Sequence, residues 1–306
     1  MKEKLRIVYM GTPEYAREIL AALIDAPDME PVLVLTQPDR PVGRKKVLTP
    51  PPVKVLAREH GIPLLQPERL REEGIREAIE AAAPDFIVVA AFGQLLPREI
   101  LEIAPCINLH ASLLPLYRGA SPVQQALLNG DRFTGVTAML MEEGLDSGPI
   151  LAWSYLELDE RIGLRRLMEE LTRLAAGLTP KVLRRFGKIQ PLEQFGALAT
   201  HCKKIRRSDG ESSLEDAGEA WRKFRAFEGW PGLFLPSGVK LLELELVEER
   251  GGYTPGEILS WEEEAMLLGC GRGVLRVATL QPGGKKPMSA KAYAVGRGLD
   301  VGDTIL

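Results

Sequence analysis

Over roughly the first 160 residues, wholly apolar runs alternate with segments of helical periodicity, and this restricts the chain more than any other feature. LRIVYM (5–10) leads into the turn Gly11-Thr12-Pro13 and then a stretch from 14 to 23, where Tyr15, Ile19, Leu20 and Leu23 recur at helical spacing. PVLVLTQ (31–37) and IPLLQ (62–66) read as further strands, and PVKVLAREHG (52–61) and ERLREEGIREAIEAA (68–82) as helices. DFIVVAAFG (85–93), CINLHAS (106–112) and TGVTAMLM (134–141) continue the strands, with SPVQQALLNG (121–130) a helix before the last. Apolar strands separated by helices predict a mostly parallel sheet covered on both faces, that is, a doubly wound, Rossmann-like α/β domain. Such sheets bind ligands beyond the carboxyl ends of their strands. That would gather the loops after Met10, Val89, Leu109 and Leu140 around one crevice.

A long amphipathic helix signal follows from 161 to 186, interrupted at Thr179-Pro180, and then the character changes. Ile189-Gln190-Pro191-Leu192 opens a linker-like stretch, and THCKKIRRSDGE (200–211) is polar and basic. Beyond Trp230-Pro231-Gly232, short strand candidates (LFLPSG, VKLLELELVE, GVLRVATLQP and AYAVG) are separated by Gly and Pro turns, which predicts a small all-β unit such as a barrel. The expected division is a first domain over 1–189, a linker over 190–205 and a second domain over 206–306.

A net charge of −3 removes any bulk electrostatic case for nucleic-acid binding, so such a partner would be held by local basic patches. The three cysteines, Cys106, Cys202 and Cys270, lie too far apart for metal-ligand spacing, and an odd count argues against a disulfide framework. No metal is expected. The apolar run near the N-terminus is too short for a signal segment, and no stretch of about 18 apolar residues occurs. A cytoplasmic protein with no membrane partner is expected.

The densest chemistry lies in NLHASLLPLYRGASP (108–122). Residues two apart in a strand share a face, so Asn108 and His110 point together near the strand's C-terminal end. A neutral donor beside an imidazole can serve a developing oxyanion and move a proton. A core histidine satisfied by backbone, with Asn108 as a strand terminator, explains the same residues equally well. Gly144-Leu145-Asp146-Ser147-Gly148 has the composition of an ordinary turn. If the strand before it runs parallel to its neighbour, Asp146 would face His110 across the crevice, where a carboxylate stabilises an imidazolium. Gly11-Thr12-Pro13 lacks the dinucleotide fingerprint, and Gly43-Arg44-Lys45-Lys46 is not a phosphate-binding P-loop. The basic groups at Arg40, Arg44, Lys45 and Lys46, at Lys203, Lys204, Arg206 and Arg207, and at Lys285, Lys286 and Lys291 read either as solvated surface or as contacts to RNA phosphates.

NLHASLLPLYRGASPVQ followed by TGVTAMLMEEGLDSGPI closely resembles the formyltransferases that use 10-formyltetrahydrofolate, whose Asn, His and Asp fall on Asn108, His110 and Asp146. VYMGTPEYA, TQPDRPVGRKK, FIVVAAFGQLLP, FRAFEGWPG and LQPGGKKPMSAKAYAVG extend the resemblance over essentially the whole chain, toward the branch that formylates tRNA-bound methionine. Three places depart from the family. Leu116 stands where an Arg is common, the 43–46 loop lacks a second glycine, and Pro50-Pro51-Pro52 replaces the usual Ser-Pro.

The resemblance implies 10-formyltetrahydrofolate as a consumed co-substrate and Asn108, His110 and Asp146 as catalytic residues. It places the folate beside Phe92, Gly93, Gln94, Leu95 and Leu96, beside Ser112, Leu113, Leu114 and Pro115, and beside Leu140 and Glu143. It also implies initiator methionyl-tRNA as partner, approached by Arg40, Arg44, Lys45 and Lys46 and held by Lys203, Lys204, Arg206, Arg207, Lys285 and Lys286. The second domain would be an OB-like barrel that binds the tRNA, and the protein would act as a monomer. Formylation of glycinamide ribonucleotide or an amino sugar is the nearest alternative, and a non-catalytic RNA-binding module the alternative of a different class.

Overall fold

The computed structural model describes residues 4–43 and 45–306. Two compact units emerge: Met1–Pro122 with Phe133–Leu158 and Arg166–Lys203, and Val123–Arg132 with Asp159–Arg165 and Lys204–Leu306.

The first unit begins β1 (Leu5–Gly11), α1 (Glu14–Ile24), β2 (Met29–Leu35), β3 (Arg40–Val42), β4 (Val47–Thr49), α2 (Pro52–Glu59), β5 (Leu64–Leu65) and α3 (Ile75–Ala81). It continues β6 (Phe86–Ala90), α4 (Arg98–Leu101), β7 (Cys106–His110) and β8 (Arg118–Gly119). After α5 (Pro122–Asn129), most of which groups with the second unit, come β9 (Phe133–Leu140), β10 (Ile150–Glu157), α6 (Leu164–Arg185) and β11 (His201–Cys202). Seven strands form one sheet in the order β10-β9-β7-β6-β1-β2-β5. The chain leaves β1 toward β2 and β5 and returns on the other side at β6, so the strand order switches between β1 and β6. Val8, Met10, Leu35, Ile87 and Val89 are buried in the core beneath it.

Four local expectations change. The segment at 68–82 is helical only from Ile75, because the chain turns at Gly74, whose φ is +85°. The basic loop after β2 is an exposed hairpin, β3 pairing antiparallel with β4. Thr179-Pro180 does not interrupt α6, whose first turns already carry the helix before the proline. The strand at 134–141 is antiparallel to β7, with Asn108 opposite Met139 and His110 opposite Thr137. A parallel strand needs a crossover back along the sheet. Here α5 groups with the other unit, so the chain re-enters from the carboxyl end of β7.

In the second unit α7 (Ala217–Ala226) precedes β12 (Leu233–Phe234), β13 (Lys240–Glu248), β14 (Ile258–Glu262), β15 (Ala265–Gly269), β16 (Val274–Gln281), β17 (Met288–Ser289) and α8 (Ala290–Val295). The strands form an antiparallel sheet in the order β12-β13-β16-β15-β14, with β17 added to β16. Leu241, Leu244, Ile258, Leu268, Leu275 and Val277 fill its core. AYAVG, expected as a strand, is helical. The Ser289 hydroxyl accepts the Ala292 N–H at 3.1 Å to cap α8, and the alanines that follow are strong helix formers.

Asp216 caps α7, accepting the Glu219 N–H at 2.8 Å, and is ion-paired to Arg272. Burial pushes its carboxyl up, but the Glu219 N–H and the Arg272 guanidinium outweigh this and hold it below the usual carboxylate range. A pKa lowered by folding stabilises the fold above the unfolded value, near pH 4, and that contribution is lost as pH falls through the folded value. Asp216→Ala is therefore expected to cost about 0.5–2 kcal/mol at neutral pH. In urea unfolding followed against pH, its difference from wild type should shrink below about pH 4.

Candidate functional site

β7 positions the central pair. Its backbone pairs with β6 and β9, and Asn108 and His110 lie on the same face. His110 is buried, and its Nε2 lies 2.9 Å from the carbonyl oxygen of Tyr117. A carbonyl only accepts, so Nε2 carries the hydrogen and Nδ1 is left facing Oδ2 of Asp146 at 3.7 Å. Proton uptake at Nδ1 would turn this approach into an ion pair.

Asp146 reaches the pair by a different route from the one expected. Because β9 is antiparallel, Leu140 lies beside Ile107 at the start of β7, and the hairpin between β9 and β10 folds back over the sheet. Asp146 sits in that turn with φ at +50°, a conformation aspartate tolerates better than most residues. Its Oδ2 accepts the Gly119 N–H at 2.8 Å, and its Oδ1 accepts the Asn108 amide at 3.4 Å. The structure thus brings all three expected catalytic residues together.

The stretch expected to be a linker over 190–205 is, from 192 to 202, a strap woven into the first unit. Leu192 and Ile150 exchange backbone hydrogen bonds of 2.8 Å, and β11 pairs in parallel with β8. Thr200 receives the Tyr117 N–H on its hydroxyl at 2.9 Å and the Arg118 N–H on its carbonyl at 2.9 Å. Gln194 contacts the Asp146 turn directly. The large apolar residues of the strap, Leu192, Phe195 and Leu198, recur every third position and not in strand alternation, so the sequence carries no strand signal there.

A crevice of about 480 Å³ opens at the switch between β1 and β6, where open α/β sheets bind ligands. Thr12, Pro13, Gln37, Arg40, Ala91, Phe92, Gly93 and the foot of the β3–β4 hairpin line it. Gln37 Nε2 has no hydrogen-bond partner among the described residues, which leaves a donor for a ligand. The foot of the hairpin is clipped by Asp39, which accepts from Lys54 Nζ at 2.6 and 2.7 Å and from Gln66 at 2.9 Å. The Lys54 and Gln66 hydrogen bonds hold the Asp39 carboxyl below the usual carboxylate range.

Of the residues expected around a folate, Phe92 and Gly93 lie on the crevice wall. Phe92, Leu96 and Leu114 are buried, and the Ser112 hydroxyl is spent on the Leu116 carbonyl at 2.6 Å. The Gln94 amide binds Leu70 N and Pro67 O. Leu95 and Glu143 are exposed, while Leu113, Pro115 and Leu140 are partly covered. Arg40, Lys45 and Lys46 are exposed on the hairpin, and Arg44 lies outside the described residues. Lys203 belongs to the first unit, and Lys204, Arg206, Arg207, Lys285 and Lys286 are exposed on the second. Among the described residues no group of three or more His, Cys, Asp or Glu side chains could hold a metal ion, and no helix is long and apolar enough to cross a membrane.

Residues 4–183 match the formyl transferase family, and residues 204–298 match the formyl transferase C-terminal domain. The chain is 61% identical over 303 residues to a methionyl-tRNA formyltransferase of a Sulfurovum species, covering 99% of this chain and 100% of the relative. It is 50% identical to the methionyl-tRNA formyltransferase of Wolinella succinogenes, covering 98% and 99%. Among solved structures, an N-formyltransferase from Helicobacter canadensis in complex with folinic acid and dTDP-3-aminofucose superposes with a TM-score of 0.67 at 17% identity, covering 90% of this chain and 100% of that one. HypX from Aquifex aeolicus in complex with tetrahydrofolic acid superposes at 0.61 and 18% identity, covering 96% and 47%.

Proposed function

The chain belongs to the formyl transferase family, in its methionyl-tRNA formyltransferase branch, and from that premise we propose that it moves the formyl group of 10-formyltetrahydrofolate onto the α-amine of initiator methionyl-tRNA. The observation that carries this reading is the convergence of Asn108, His110 and Asp146 on one face of β7.

The methionyl amine attacks the formyl carbon, and the carbonyl oxygen gains negative charge. The Asn108 amide donates to that oxyanion, and His110 faces it on the same side of the strand. The bond from carbon to folate N10 then breaks, N10 takes a proton, and the amine nitrogen loses one. Asp146 orients His110, stabilises its imidazolium form and helps pass protons, with water as a relay. Folate lies beside Phe92 to Leu96, Ser112 to Pro115, Leu140 and Glu143, the positions the family resemblance assigns to it. The hairpin with Arg40, Lys45 and Lys46 meets the acceptor end of the tRNA beside the crevice. Residues 206–306 act as the tRNA-binding domain, with an OB-like antiparallel sheet and the basic residues Lys204, Arg206, Arg207, Lys285 and Lys286 toward the RNA backbone. The protein works as a cytoplasmic monomer.

One assay tests the reading: labelled 10-formyltetrahydrofolate is offered with methionyl-tRNA, an amino sugar nucleotide or glycinamide ribonucleotide. Transfer to methionyl-tRNA alone is expected, and preferential transfer to either small amine would overturn the acceptor assignment. In the same assay the pair Lys45→Glu and Lys46→Glu should raise KM for tRNA and flatten its salt dependence, with folate affinity unchanged. A salt-independent KM that ignores the charge reversal would remove the hairpin from the RNA interface.

A further inference from the structure

We propose that Gln194 is a positioning residue for formyl transfer: braced by Arg118, its side-chain amide holds the Asp146 turn at the distance from which the carboxylate serves His110. The inference rests on the assignment of Asn108, His110 and Asp146 as the catalytic set.

The turn needs an external hold. Glu142, Glu143, Gly144 and Leu145 are exposed, so burial does not fix their conformation, and Asp146 has a positive φ of 50°. Gln194 supplies two bonds across the turn. Its Nε2 donates to the Asp146 carbonyl at 2.9 Å and to the Gly148 carbonyl at 2.8 Å. Its Oε1 accepts from Nε and Nη2 of Arg118 at 3.0 and 2.8 Å. Both donors and both lone pairs of the amide are thereby used. The orientation is also fixed: a guanidinium only donates, so Oε1 must face Arg118 and Nε2 must face the two carbonyls. Arg118 precedes Gly119, whose N–H holds the Asp146 carboxylate, so one short strand grips the turn through its backbone and, by way of Gln194, through a side chain.

The strap locates Gln194 from both sides, by the Leu192–Ile150 bonds before it and by β11 against β8 after it. No shorter or acidic side chain reproduces the arrangement. Asparagine lacks the reach, and glutamate can accept from Arg118 but has no donor for the carbonyls.

The test is steady-state formyl transfer to methionyl-tRNA by the full-length protein and by Gln194→Glu and Gln194→Ala, with histidine NMR on each. Gln194→Glu keeps the size of the side chain and its partner Arg118, so it separates loss of the donor from loss of the fold. The expected result is a kcat about 10- to 30-fold lower in both variants, the rate equivalent of two hydrogen bonds, with KM for folate and tRNA unchanged. With only three histidines in the chain, the His110 ring signals should move while those of His60 stay in place. Leu198→Ser, at an exposed position on the same strap, should leave kcat and the His110 signals as in wild type. A wild-type kcat in Gln194→Glu, or a loss confined to KM, would overturn the inference. A wild-type protein that formylates no amine would instead overturn the reading of the site itself.

Discussion

Asn108→Ala is expected to lower kcat for formyl transfer by about 10²- to 10³-fold, the usual cost of one missing oxyanion donor, while folate and tRNA still bind. The side chain is suited to this role because it is barely committed. Among the described residues its amide makes only a long 3.4 Å contact to Asp146, whereas the β7 backbone is secured independently by pairing with Val89 and Met139. Removing the amide should therefore take away a donor and leave the strand in place. The effect belongs to the transition state, where the oxygen carries charge, so it should appear in kcat and not in KM. Asn108→Asp should be no better than alanine, because a second carboxylate would face Asp146 and repel the oxyanion. Single-turnover transfer with saturating folate and methionyl-tRNA measures the step directly. A rate near wild type in Asn108→Ala would remove Asn108 from the chemistry and leave His110 as the principal oxyanion partner.

The sequence disclosed the chemistry more fully than the path by which the chain assembles it. Asn108 and His110 were legible because strand periodicity of two is local, and it puts both on one face whatever lies around them. Asp146 was legible only through the surrounding motif. The assumption that carried it across the crevice, a parallel strand before it, fails at β9. Strand direction depends on where the intervening helix packs, and nothing in SPVQQALLNG signals that α5 groups with the second unit. The strap over 192–202 was hidden for a different reason. It is held by backbone bridges and by the Gln194 amide rather than by an apolar face, so hydrophobic patterning has nothing to register. The β14–β15 hairpin leaves little trace in the sequence because WEEEA interrupts its alternation with charge, and α8 resembles a strand there because Tyr293 and Val295 alternate over a five-residue window.

Gly119→Ala should impair catalysis and stability together, because a single atom would collide with the strap that supports the site. Gly119 has φ at +118°, a region that residues with a Cβ essentially avoid, at a cost on the order of 1–3 kcal/mol. A Cβ built there would meet the Cys202 carbonyl oxygen at 2.3 Å, far inside contact distance and against backbone that cannot swing aside. Relief requires β8 and β11 to part, and the N–H that would move is the one bonded to Asp146 Oδ2 at 2.8 Å. A displacement of about 1 Å in a catalytic arrangement can cost on the order of 10²-fold in rate. The expected outcome for Gly119→Ala is thus a kcat about 10²-fold lower and a urea midpoint reduced by the equivalent of about 1–3 kcal/mol. Ala120→Ser, one residue along and exposed, is the matched control and should alter neither. The two readouts separate the two claims. A lowered midpoint with full activity would mean that the Gly119–Asp146 bond is dispensable, and full stability with lost activity would mean that the strap yields without strain.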